Sequence, residues 1–197
     1  MYLAFQYIGR MFPYALIGFI ICIIYRGICC YRTKEFILTK EIYFCLFVAY
    51  LCGLASQTII PQINCGIDSV SKKIYFDLYI SNEIASVNII PFKSIIEQVM
   101  GTNEFVGRQD LLSISVLNIM ANVGLFVPLG FFVPLIWKKY CNFKSVLYIG
   151  VVTSIIIEII QYFIGRSSDI DDVILNTIGV VMGYFLLELV IRIMQKK

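Results

Sequence analysis

Five apolar runs, at about 9–28, 42–60, 111–137, 145–164 and 172–194, set the limits on what this chain can become. Each is near the roughly 20 residues a helix needs to cross the hydrocarbon of a bilayer. A backbone in lipid has no water to bond, so a spanning segment must satisfy its own peptide groups, and a helix does this within one segment. The expected fold is an all-α, polytopic membrane bundle of about five transmembrane helices. A water-soluble alternative fails on composition. With 59% hydrophobic and 15% charged residues and a mean hydropathy of +0.84, the chain is more apolar than one core of this length could hide. The first run continues past Tyr25 without a small-residue cleavage site, so it is expected to stay as a helix rather than leave as a signal peptide.

Basic residues in the short connections orient the bundle. Arg26, Arg32, Lys34 and Lys40 lie in a connector at 26–41 that overlaps the end of the first run, Lys138, Lys139 and Lys144 between the third and fourth, and Arg192, Lys196 and Lys197 at the C-terminal end. Those three regions are expected to face the cytoplasm. The N-terminus and the loops at 62–110 and 165–171 then face outward, and Arg10 snorkels at a helix end. Residues 1–60 read as two N-terminal helices with a basic loop, and 61–197 as a core of one long extracellular loop and three helices.

The long loop is mixed and polar, with Asp68, Asp77, Glu83, Glu97, Glu104 and Asp110 set against Lys72, Lys73, Lys93 and Arg108. Inside it, 88–96 is an apolar island too short to span. Pro91 at a first helical position, followed by Ile95, Ile96, Val99 and Met100, suggests a short interfacial or re-entrant helix; an ordinary turn is the alternative. In the third run, interior Pro128 predicts a bend or break at 126–130.

Polar residues within the last three runs are the candidate site. Glu158 and Gln161 are three apart, and Asp172, Asn176, Gly179 and Gly183 recur at four, three and four, so each set shares a helix face. Asn118 and Asn122 share a face of the third run. At about 1.5 Å per residue, Glu158 and Asn118 both lie roughly 10 Å below their loops and Asn176 roughly 6 Å below Asp172. These groups, rimmed by Arg166, Asp169, Asp171 and Asp172, predict a polar cleft open to the outer side. An ionised carboxylate in hydrocarbon costs about 2.5–3.5 kcal/mol at a helix centre. Glu158 is therefore expected to be protonated, hydrated, or paired with Arg166 or a ligand cation. Interhelical hydrogen bonding among Glu158, Gln161, Asn122 and Asn176 is the structural alternative.

No histidine is present, which removes the usual general base and any Ser-His-Asp triad. The seven cysteines show no disulfide or metal spacing and read mainly as small apolar packing residues. Asp169, Asp171 and Asp172 leave three readings open: a divalent ion, a helix N-cap, or a solvated loop. No spacing is specific for a metal, and no cofactor is expected. Glu188 and Arg192, four apart, read as a structural ion pair, and Gly179 with Gly183 as a close helix-packing face.

The ordered set NIIPFKS at 88–94, NIMANVGLFVPLGFF at 118–132, Glu158 with Gln161, Arg166, and Asp169, Asp171, Asp172, Asn176 and Thr177 resembles the VanZ-like family of bacterial membrane proteins over about 60–188. The resemblance implies a multi-pass protein of the bacterial plasma membrane, tied to the cell envelope and, for the family's namesake, to resistance against teicoplanin-type glycopeptide antibiotics. It implies no catalytic mechanism. Expected partners are membrane lipids and a lipid-linked cell-wall precursor or surface polymer, with no nucleic acid. The ligand would meet Glu158, Gln161, Arg166, Asp169, Asp172, Asn176, Asn118 and Asn122. A membrane enzyme acting on a phospholipid or polyprenyl-linked substrate, and a proton-coupled transporter, are the alternatives.

Overall fold

Every apolar run forms a helix. A computed structural model describes residues 2–34, 36–60, 62–67, 74–79, 86–100 and 108–196. Its long helices are α1 (Tyr2–Thr33), α2 (Leu38–Thr58), α4 (Arg108–Ile136), α5 (Phe143–Phe163) and α6 (Ile170–Gln195), with a short α3 (Lys93–Met100) before α4. Among the described residues, five helices are long and apolar enough to cross a membrane. The protein is an all-α, multi-pass membrane protein.

The loop between α2 and α4 holds more than the single helix expected of it. Two antiparallel strands, β1 (Gln62–Ile67) and β2 (Ile74–Tyr79), pair from Gln62 opposite Tyr79 to Ile67 opposite Ile74. The alternation of Ile74, Phe76 and Leu78 with Tyr75, Asp77 and Tyr79 is the strand signal in that stretch. Pro61, Asp68, Lys72, Lys73, Glu83 and Glu104 lie outside the described residues. Further on, α3 begins at Lys93, after Pro91 and after Phe92, which has φ 66° and accepts the amide hydrogen of Ile96. Pro91 therefore sits in the preceding turn rather than at the first helical position.

α4 runs unbroken through Pro128 and Pro134. Proline removes one helical donor and its ring crowds the carbonyl four residues back. One residue beyond the Gly124 carbonyl that Pro128 leaves without a helical donor, the Tyr50 hydroxyl of α2 donates to the Leu125 carbonyl at 2.8 Å, so a neighbouring helix braces the same turn.

The core lies where α2, α4, α5 and α6 meet, around Phe47, Leu54, Phe126, Leu129, Val133, Val146, Ile157, Val180 and Tyr184. Its tightest seam is between α4 and α6. A Cβ on Gly179 or Gly183 would collide with the carbonyls of Val123 and Val127, and one on Gly130 with the carbonyl of Val180. Small residues are what allow backbones this close. α1 packs along α2 and leaves Leu16, Ile17, Ile20, Ile21 and Ile24 exposed, an apolar face that lipid would cover. Helix α1 continues to Thr33, past the expected end of its run at about residue 28, so Arg26, counted with the basic connector, is well inside the helix. Its guanidinium forms a two-pronged pair with the buried Glu41 of α2 at 2.5 Å and lies 5.2 Å from the centre of the Phe44 ring. Near the end of α6, Glu188 and Arg192 form the expected pair at 3.6 Å.

Candidate functional site

The turn joining α5 to α6 gathers the polar residues. Helix α5 ends at Phe163, Gly165 takes φ 77°, and the Arg166 amide returns to the Gln161 carbonyl at 2.9 Å. This is the left-handed exit that glycine makes easy. The chain re-enters through β4 (Ser168–Asp169), and Asp169 caps α6 by accepting from the Asp171 amide at 2.9 Å. Glu158, 5% exposed, accepts the Asp169 amide at 2.8 Å. Its carboxylate is thus tied to the start of α6, the end of a helix where an anion is favoured.

Arg166 does not pair with Glu158. Its Nη1 donates to the carbonyls of Gln57 and Thr58, at 3.0 and 3.1 Å, closing the C-terminus of α2 where carbonyls lack helical partners. Gln161 adds a third donor to this end, from Nε2 to the Thr58 carbonyl at 3.0 Å. Ion pairs lie elsewhere in the bundle, between Arg26 and Glu41 and between Glu188 and Arg192.

The α3 segment closes over the same turn. Strand β3 (Val87–Asn88) pairs in parallel with β4, Val87 opposite Ser168 and Asn88 opposite Asp169. The Asn88 amide donates to Asp169 Oδ1 at 3.0 Å and to Ser94 Oγ at 2.9 Å. Asp171 is 1% exposed and accepts the amides of Phe92 at 2.5 Å and Ile95 at 3.1 Å. One carboxylate therefore sits in the first turn of α6 and at the N-terminus of α3. Sequence reasoning left Asp171 as a rim residue that could ligate a divalent ion, cap α6 or lie in a solvated loop. The signal for its larger role was negative: α3 has no acidic residue in its own first turn, so its orphan amides needed an acceptor from elsewhere.

From the α4 side, Asn122 Nδ2 donates to Asp172 Oδ1 at 2.6 Å, and half-buried Asn118 lies one turn earlier. Asn176, one turn beyond Asp172, is 4% exposed. The structure thus gathers two hydrogen-bonded groups at this turn, Glu158 with Asp169 and Asn88 and Asp172 with Asn122, into a polar network with Gln161 and Arg166 on its α2 flank. Among the described residues, no three acidic or thiol side chains come together as a metal-ligand set.

Residues 42–191 match the sequence profile of the VanZ/LLP1 family. The chain belongs to the VanZ/LLP1 family. The match begins in α2, before the start at about residue 61 expected for the core. It takes in the α2 carbonyls that Arg166 and Gln161 close, the α3 segment, and every residue of the network. Helix α1 lies outside it. Comparison with curated proteins and with solved structures finds no match. For this VanZ/LLP1 member, the polar network at the α5–α6 turn brings carboxylate and amide side chains of α4, α5 and α6 together with the carbonyl end of α2 and the α3 segment.

Proposed function

We propose that this VanZ/LLP1 protein resides in a bacterial plasma membrane with its N-terminus and the α5–α6 turn outside and its C-terminus in the cytoplasm. It binds a lipid-linked cell-wall precursor or surface polymer at the network and lowers susceptibility to teicoplanin-type glycopeptides. The observation that carries this reading is the burial of Glu158, Gln161, Asp171 and Asn176 at one end of a membrane-spanning bundle. Polar groups in that setting are expensive unless they serve packing or a ligand. Arg166 is exposed beside them and is the candidate for meeting an anionic group on the ligand. The aspartates at 169 and 171 already accept backbone amides, which favours binding over a metal-assisted reaction.

The test is resistance in cells expressing wild-type or variant protein at equal membrane abundance. Glu158→Gln and Arg166→Lys are expected to insert normally and lose most of any protection against teicoplanin. Lysine still reaches the α2 carbonyls but cannot present the planar guanidinium fork. Full protection in both variants would sink the proposal.

A further inference from the structure

One turn deeper than Glu158, three polar atoms lie buried without a hydrogen-bond partner: Ser154 Oγ, Asn176 Oδ1 and Thr177 Oγ1. Ser154 is fully buried and Asn176 is 4% exposed. The register of the antiparallel α5 and α6 puts them at one level. Gly150 faces Val180, Phe143 meets Tyr184, and Glu158 bonds Asp169. Ser154, on the stripe between Gly150 and Glu158, therefore falls level with Asn176 and Thr177. The α4 side of α6 carries Asp172, bonded to Asn122, so the level sits directly under two carboxylates.

The chemistry of this set is specific. All three unpartnered atoms are oxygens with lone pairs to offer, and the nearby carboxylates lack an ion pair among the described residues. Arg166, the closest basic residue in sequence, is engaged with the carbonyls of α2. Hard cations take such oxygens from carboxylates, amides and hydroxyls. With no three acidic side chains converging among the described residues, the set suits one positive charge rather than two.

We propose that the seam of α5 and α6 binds an alkali metal cation through the Glu158 carboxylate, Ser154 Oγ, Asn176 Oδ1 and Thr177 Oγ1. The cation would satisfy oxygens that packing leaves without donors and offset the negative charge of Glu158 and Asp172. The site shares Glu158 and Asn176 with the envelope reading but does not rest on it, since Ser154 and Thr177 lie outside the ligand-binding set and a cation here supports the fold with or without an external ligand.

Thermal unfolding of the full-length protein in detergent, in lithium, sodium, potassium or choline chloride at equal ionic strength, tests this directly. At least one alkali cation is expected to raise the midpoint in a saturable way over choline. Glu158→Gln and Ser154→Ala should each weaken the apparent affinity by about tenfold or more. Ser154→Ala also separates a ligand from a merely unsatisfied hydroxyl, because removing an idle buried hydroxyl stabilises the protein equally in every salt. Identical midpoints in all four salts, or an alkali response unchanged in both variants, would overturn the site. Neither result depends on the antibiotic assay.

Discussion

Asp171 holds two helices with one side chain. Its oxygens accept the amides of Phe92 and Ile95, while the residue itself stands in the first turn of α6. Asparagine is nearly the same size but offers one acceptor oxygen and a competing donor. Asp171→Asn is therefore expected to leave one α3 amide unsatisfied and destabilise the protein by about 1–3 kcal/mol. Hydrogen exchange at residues 92–95 should rise above that of the α4–α6 seam, and unchanged exchange there would contradict the assignment. At this scale the burial of Glu158, Gln161 and Asn176 was legible, because an amide or carboxylate inside an apolar run has to face protein. The partners were not. Arg166 closes carbonyls 108 and 109 positions away, and a carbonyl carries no identity that a sequence pattern could reveal.

Between elements, the deciding contact is the glycine seam of α4 and α6. The spacing of Gly179 and Gly183 announced a close approach; which helix would approach was decided by tertiary packing, with Gly130 of α4 answering from the other side. Gly183→Ala and Gly130→Ala are each expected to push the two backbones apart and cost about 1–3 kcal/mol. Gly124→Ala on the same helix is the control. A Cβ there meets nothing within 4 Å, so the better helix propensity of alanine should leave stability unchanged or raise it by about 1 kcal/mol. Thermal midpoints in one detergent would rank the three, and equal losses at all three positions would refute the steric account. Helix positions were readable because an apolar run of spanning length has one way to satisfy its backbone in lipid. The β1–β2 hairpin was harder to see because its alternation is only six residues long in each strand, and the polar residues around it suggested an irregular loop.

Across the whole molecule, α1 and α2 form a hairpin joined to the rest mainly through the contacts of α2 with α4. The pair of half-buried Arg26 and buried Glu41 fastens that hairpin near its turn. Removing either partner leaves the other charge with poor compensation in a weakly polar setting. Arg26→Gln and Glu41→Gln should each destabilise the protein, and the double variant should lose less than the sum, with a coupling of about 0.5–3 kcal/mol. A coupling near zero would mean that the pair is screened and contributes little. The composition of 26–41 suggested a basic connector, and only the extension of α1 to Thr33 turned Arg26 from a loop charge into an interhelical one.

By itself, the sequence determined that the chain crosses a membrane about five times, that its crossings are helices, and that polar residues in the last three must be sheltered. Those outcomes follow from local physics, since hydrocarbon penalises an unsatisfied peptide group or an exposed carboxylate wherever the segment lies. Only the tertiary structure decided which donor meets which acceptor: Asp171 with α3, Arg166 with α2, Asn122 with Asp172. A donor or acceptor carries no local mark of its partner, and the pairing is set by which helices pack side by side, as the glycine-lined approach of α4 and α6 brings Asn122 to Asp172.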